Sequence, residues 1–350
     1  MKKVRVGVIG VGGIADGGHL PNYAKHPEVE LVAFADQDSD RLKEMGAKYG
    51  VERLYDSAEA MFAAEQLDAV SICTWNHSHV PLAQLAVSKG VDILVEKPLG
   101  ISYAETLELD KAVKANHRVG MVGMTHRYRN ESRALKDLID GGALGNLYYV
   151  KAKILRQRGT PTGWFTDKAK SGGGPLMDIG VHALDLAWWL AGQPEAKSVT
   201  GQLIKGIGNY QTKMQSRWRS RVPYNQDLEI FDVEDFAAAL IRFTNGVVLS
   251  LEVSWALNGP QDDELTVQLF GDRGGVSLAP LALYTENNGI LLESEISVQR
   301  NRPFETEIDH FIQSVQKRTT PISSIEQGAK VVQMLEAITQ SSEEGREVVL

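Results

Sequence analysis

Apolar residues in the first third of the chain come as short runs between polar stretches, which predicts strands at Val4–Ile9, 30–35, Arg53–Tyr55, 69–74 and Asp92–Val95. Between them the apolar positions recur at helical spacing near Ser39–Tyr49, 57–65 and 80–89. Strand and helix alternating in this way predict a parallel, doubly wound sheet with helices on both faces.

From about residue 125 the pattern changes. A helix is predicted near 131–140, then longer strands with alternating polarity at Leu147–Leu155, 233–243, 247–255, 264–270 and 290–298. These predict a large, open, mostly antiparallel sheet, covered on one face by helices that include 175–190. Closing helices near 305–316 and 325–341 are expected to pack back on it. The fold class is therefore α/β, with a doubly wound domain at 1–124 and a second, α+β domain at 125–350.

Composition narrows the partners. The 350 residues are 43% hydrophobic, enough for two cores, and carry a formal net charge of -8. With no long basic run, neither nucleic acid nor an anionic membrane is an expected partner, and no apolar run is long enough for a membrane span. A small soluble ligand is expected instead. The lone cysteine, Cys73, lies in an apolar run and rules out a disulfide within the chain. Met1-Lys2-Lys3 leads directly into a strand without a secretory signal, and a cytoplasmic location is expected.

Candidate chemistry collects where strands end. Val4–Ile9 runs into Gly10-Val11-Gly12-Gly13-Ile14-Ala15, a G-x-G-x-x-A turn that suits a pyrophosphate at a helix N-terminus. Gly10 permits the bend, Gly12 removes a side chain from the phosphates, and Ala15 keeps helix and sheet close. Asp36, 21 residues beyond Ala15, could accept hydrogen bonds from the adenosine ribose. Its carboxylate would repel a 2′-phosphate, favouring NAD over NADP; alternatively Asp36 is a turn or cap residue in the polar run 36–40. After the strand 69–74 comes Trp75-Asn76-His77-Ser78-His79, a loop placed near the nicotinamide. No cysteine or carboxylate cluster accompanies its histidines, so no metal is expected. Asp92–Val95 delivers Glu96-Lys97-Pro98, and Pro98 restricts Lys97 so that its ammonium can be aimed; the plainer reading of Glu-Lys-Pro by itself is an ordinary surface turn. Further on, Gly172-Gly173-Gly174-Pro175 enters the helix 175–190, on which Asp178, His182 and Asp185 share one face. An acid and an imidazole one turn apart can hold a hydroxyl between them; the plainer reading is a solvated polar stripe.

Together these stretches resemble the Gfo/Idh/MocA family, that of glucose-fructose oxidoreductase and inositol 2-dehydrogenase. The likeness rests on Gly10-x-Gly12-x-x-Ala15, Cys73-Thr74 through Asn76-x-x-His79, Glu96-Lys97-Pro98, and Gly172-Gly173-Gly174 leading to Asp178-x-Gly180-x-His182-x-x-Asp185. Val233-Glu234-Asp235, the run 243–255 and the ending 305–348 look familial too, whereas Trp75 stands where a proline is usual.

The resemblance implies a Rossmann domain binding NAD through Gly10, Gly12, Gly13, Ile14, Ala15, Asp36, Thr74, Trp75, Asn76, His79, Glu96 and Lys97. It also implies that Lys97, Asp178 and His182 form the catalytic group of a cyclic polyol or sugar dehydrogenase. His182 would take the hydroxyl proton, Lys97 would stabilise the alkoxide and Asp178 would orient the sugar. Arg127, Tyr128, Lys153, Arg156 and Trp164 are candidates for the pocket wall, each with an equal reading as packing or surface. Phe236, Leu240, Leu249, Leu251 and Trp255 are expected to dock the sheet against a second subunit, giving a homodimer or homotetramer. The irregular segment 207–227, with Lys213, Arg217, Arg219 and Arg221 around Trp218, could touch substrate, a substrate phosphate or another subunit; the plainer reading is a solvated loop. Two other functions fit the same fold: an NAD-dependent glycoside hydrolase and a non-catalytic NAD-binding sensor.

Overall fold

A computed structural model of the chain describes residues 3–210, 230–259 and 264–350. They form two compact units, 1–125 with 302–332 and 126–301 with 333–350. The charged cluster Lys213, Arg217, Trp218, Arg219 and Arg221 lies outside the described residues.

The first unit holds six strands: β1 (Val4–Ile9), β2 (Val29–Ala35), β3 (Arg53–Tyr55), β4 (Ala69–Ile72), β5 (Asp92–Val95) and β6 (Gly120–Val122). All are parallel, in the order β3-β2-β1-β4-β5-β6. β4 and β5 are buried along their whole length, which explains their unbroken apolar character. The order reverses between β1 and β4, and a crevice at such a switch point is where ligands bind. The helix Pro303–Lys317 also belongs here. It buries Ile308, Phe311 and Ile312, and Gly18 leaves room for the Phe304 ring, which lies 2.8 Å from where a Cβ would stand.

Behind the first turn of this unit Asp16 gathers three donors. Lys48 Nζ and Tyr49 Oη donate at 2.5 and 2.8 Å, and Arg41 Nη2 at 3.2 Å. Burial alone would raise the Asp16 carboxyl, but these hydrogen bonds outweigh it and bring the pKa from 3.8 to about 2.

The second unit is built on nine strands: β7 (Leu147–Leu155), β8 (Ala196–Ile204), β9 (Phe236–Phe243), β10 (Val248–Ser254), β11 (Thr266–Gly271), β12 (Gly274–Ser277), β13 (Ala282–Asn287), β14 (Ile290–Glu295) and β15 (Val348–Val349). Their order is β14-β13-β12-β11-β7-β10-β9-β8-β15, and only β7 with β10 is a parallel pair.

One face of this sheet is buried under the helix Val181–Leu190 and the turn before it, with Val253 3.3 Å from the position a Cβ on Gly180 would take. Side-chain alternation then corrects the expected docking face. Leu249 pairs with Ile241 and Leu251 with Ala239, while Ser250 pairs with Leu240. Leu249, Leu251 and Trp255 are therefore on the covered face and fully buried, whereas Phe236 and Leu240 are half-buried on the opposite one.

The glycine triplet has a packing cause. Gly172 ends the short helix Lys168–Ser171 in the left-handed region, φ 79°. At Gly174 a Cβ would lie 2.0 Å from the backbone oxygen of Glu234, so the close approach is of chain to chain. Among the described residues no helix is long and apolar enough to cross a membrane.

Two outcomes follow. Gly174→Ala should destabilise the protein by about 1–3 kcal/mol in urea unfolding, while Gly17→Ala, which meets nothing within 4 Å, should leave stability unchanged. An unaltered midpoint for Gly174→Ala would contradict the packing. Because the folded Asp16 pKa is depressed, its stabilisation is complete above about pH 4 and fades as the pH falls towards 2. Asp16→Asn should cost on the order of 1 kcal/mol at pH 6, and its deficit should shrink in unfolding curves recorded down to pH 2.5. A constant deficit over that range would contradict the assignment.

Candidate active site

The carboxyl ends of β1, β2, β4 and β5 bring one set of expected residues together. Gly10 has φ 83°, and a Cβ there would lie 2.8 Å from the backbone of Cys73 and 2.9 Å from the Thr74 side chain. Only glycine fits where β1 and β4 leave the sheet side by side. Gly12 and Gly13 instead border open space, with nothing within 4 Å of an added Cβ. No side chain or backbone therefore crowds this part of the turn. Ala15 is buried and Ile14 is exposed at its rim.

Val11 between them is held through both backbone groups. Its N–H donates to Asp36 Oδ2 at 2.7 Å, and its carbonyl accepts from Arg41 Nε at 2.8 Å. The Asp38 N–H reaches Asp36 Oδ1 at 2.9 Å. The Asp36 carboxylate is thus fixed at the end of β2 by two amides rather than by a cation. Arg41 is committed to Val11, to Glu44 at 2.8 Å and to Asp16.

The loop after β4 is pinned to the turn after β5. His79 is buried, with Nδ1 2.7 Å from the Pro98 carbonyl and Nε2 3.1 Å from that of Thr74. Burial lowers its pKa, and a neutral ring donates to one of the two at a time. Ser78 Oγ donates to Thr74 Oγ1 at 2.8 Å. Asn76 is buried, whereas Trp75 is 45% exposed, its ring 6.1 Å from that of His77. A tryptophan here therefore lies over the loop surface instead of filling its interior. Among the described residues no group of three or more His, Cys, Asp or Glu could hold a metal.

Lys97 stands on a buried hydrogen-bonded chain. Tyr23 Oη lies 2.7 Å from Ser71 Oγ, which is 3.2 Å from His19 Nδ1, and His19 Nε2 is 2.8 Å from Glu96 Oε1. Glu96 Oε2 accepts from the Lys97 N–H at 3.1 Å. Burial would raise the Glu96 carboxyl, but His19 and Lys97 outweigh it and hold it below its usual value. Glu96, expected at the cofactor, has its side chain turned inward. From residue 91 to 100 Lys97 alone escapes burial, and the Lys97–Pro98 peptide bond is cis.

The second set lies within the other unit. The expected helix 175–190 begins as a widened turn, Leu176–Gly180, capped by Pro175 and followed by the helix Val181–Leu190. Widened turns of this kind often occur at functional positions. Leu176 N–H donates to Glu234 Oε1 at 3.2 Å, anchoring its start. Every residue from 173 to 190 is buried except Asp178 and His182. Their side chains emerge one turn apart. Asp178 Oδ2 accepts from the indole N–H of Trp255 at 3.0 Å, and the His182 ring meets the edge of the His126 ring at 4.8 Å and 77°. Neither Trp255 nor His126 was marked for the site; only position after β10 and before Arg127 hinted at them.

The remaining candidates separate. Arg127 and Tyr128 are wholly buried and present no surface to a ligand in this conformation. Arg127 Nε and Nη2 clasp Asp185 at 2.9 and 2.5 Å, with the guanidinium 5.9 Å from the Trp189 ring, which gives Asp185 a structural partner. Lys153 is on the sheet face opposite Ala152 and Ile154, in register with Glu252 and Thr266. Arg156 is bonded through its N–H to Ser254, and Trp164 is stacked on Phe165 at 4.2 Å.

The chain is similar to known proteins over nearly its whole length. The chain is 34% identical to D-glucoside 3-dehydrogenase of Escherichia coli (strain K12), over 99% of this chain and 97% of that protein. It is 25% identical to the NAD(+)-dependent scyllo-inositol 2-dehydrogenase of Bacillus subtilis (strain 168), over 91% and 88%. A solved levoglucosan dehydrogenase in complex with NADH shares the fold, with a TM-score of 0.85 at 23% identity over 99% of both chains. The family model described as an oxidoreductase family, NAD-binding Rossmann fold, matches residues 4–124, and that of the same family's C-terminal alpha/beta domain matches 136–350. Both halves of the chain thus belong to the Gfo/Idh/MocA oxidoreductases, and the protein is a nicotinamide-dependent dehydrogenase of that family.

Proposed function

We propose that the protein oxidises a secondary hydroxyl of a cyclic polyol or sugar with NAD, and that Lys97, Asp178 and His182 are its catalytic residues. The observation that carries this reading is selective exposure: two otherwise buried segments each present ionisable side chains, and only those. The relatives named for a glucoside and an inositol supply the substrate class, and a glucoside is the first substrate to try.

The open space before Gly12 and Gly13 and the fixed Asp36 fit the dinucleotide, which when bound accepts a hydride from the substrate carbon. His182 takes the proton of the reacting hydroxyl. Lys97 places its ammonium against the oxygen as negative charge develops, and the hydrogen-bonded Glu96 beneath limits its backbone. Asp178 accepts a hydrogen bond from the reacting or the adjacent hydroxyl and so restricts the orientations of the ring. NAD is preferred to NADP because a 2′-phosphate would meet the Asp36 carboxylate while Arg41 is committed elsewhere. The chain works in the cytoplasm, where its buried Cys73 stays reduced. It assembles as a homodimer or homotetramer through the sheet face bearing Phe236 and Leu240.

A reduced-nicotinamide absorbance assay tests the chemistry. Wild type should turn over NAD with methyl α-D-glucopyranoside or myo-inositol, faster than NADP, and His182→Ala should lower kcat by roughly 100- to 10,000-fold with NAD affinity unchanged. Unaltered turnover in His182→Ala would remove the assigned base. Sedimentation at micromolar protein should show a multiple of 38.4 kDa, and a 38.4 kDa species alone would exclude the assembly.

A further inference from the structure

We propose that Trp255 is a positioning residue of the active site: its indole N–H fixes the Asp178 carboxylate for the sugar. The inference rests on the catalytic reading of Asp178 given above.

Trp255 follows the last residue of β10 and is locked through its backbone on both sides. Its N–H donates to the Asp235 carbonyl at 2.9 Å, and its own carbonyl accepts from Gly159 at 2.7 Å. Its side chain is completely buried, so the ring has no freedom to follow a mobile partner. Tryptophan can only donate, and a buried donor needs an acceptor. The acceptor is Asp178 Oδ2 at 3.0 Å, on one of the two side chains that emerge between residues 173 and 190. A rigid donor thus ends on a carboxylate that sits on the widened turn Leu176–Gly180, whose own backbone is held by the Asp178 N–H to the Gly174 carbonyl at 3.0 Å.

Two consequences follow for the carboxylate. Its rotation about the side-chain torsions is restricted, because turning would break a charge-assisted bond to an immovable ring. Since the indole cannot accept, Oδ2 must present a lone pair to it, and a sugar hydroxyl meets Asp178 as an acceptor of known direction. Trp255 does not touch the sugar. It acts through Asp178, which separates its role from ordinary core packing.

A double-mutant cycle reads this out. Trp255→Phe removes the N–H and keeps most of the apolar bulk; Asp178→Asn removes the acceptor charge. With NAD and methyl α-D-glucopyranoside, Trp255→Phe should lower kcat/KM roughly tenfold, Asp178→Asn should lower it further, and the double variant should match Asp178→Asn within about twofold. NAD affinity measured by calorimetry should be unchanged throughout. If the double variant loses the product of the two single effects, or if Trp255→Phe behaves as wild type, the proposal is overturned. Full activity in Asp178→Asn would instead overturn the catalytic reading.

A second measurement needs neither turnover nor a stable Trp255→Phe. In protein labelled with ¹⁵N-tryptophan, the Trp255 indole resonance, assigned by replacing the other five tryptophans in turn, should move in Asp178→Asn. An indole signal indifferent to that substitution overturns the proposal as well.

Discussion

Along the buried segment 173–190 the two positions that escape burial, Asp178 and His182, are both ionisable. The segment 173–190 is enclosed by the sheet strands β7 and β10 on one side and by its own neighbours on the others, and three ionisable side chains interrupt its apolar surface. Asp185 is neutralised inside by Arg127, in the manner expected of a buried charge. Asp178 and His182 alone escape burial, and they are held differently: Asp178 by the indole of Trp255 at the end of β10, His182 against the ring of His126.

In the first unit the sheet leaves β1 and β4 so close at Gly10 that only glycine passes, while Gly12 and Gly13 beyond border open space. Asp36 accepts from the Val11 N–H and Arg41 donates to the Val11 carbonyl, so side chains hold the backbone on both sides of this residue in the turn. Lys97 is treated likewise: a chain of buried hydrogen bonds from Tyr23 to Glu96 ends on its backbone.

Much of this was legible in the sequence because local rules and tertiary need agree. The dinucleotide turn, Asp36 and the strand ends at Lys97 follow from short motifs at fixed spacing, and the apolar helix flagged Asp178 and His182. What pattern could not give was direction. Period-two alternation marks which residues share a face, not which face is covered, so Leu249, Leu251 and Trp255 read as a docking surface when they are interior. The strand Ala196–Ile204 buries only Ser198 and Val199 on its own pattern and left no apolar rhythm to follow. An arginine beside a candidate site reads as a ligand contact until its acid, 58 residues away, is seen to hold it. Likewise the amphipathic period of Pro303–Lys317 announces a helix but not that it belongs to the first unit rather than the second.

The central claim is that Lys97, Asp178 and His182 act on one hydroxyl. A crystal structure of His182→Ala with NAD and a turned-over sugar tests it most directly. The account predicts one secondary hydroxyl within hydrogen-bonding distance of both Lys97 Nζ and Asp178, its carbon facing the nicotinamide and the vacated imidazole position beside the oxygen. A sugar bound with no hydroxyl near Lys97 and Asp178 would contradict it.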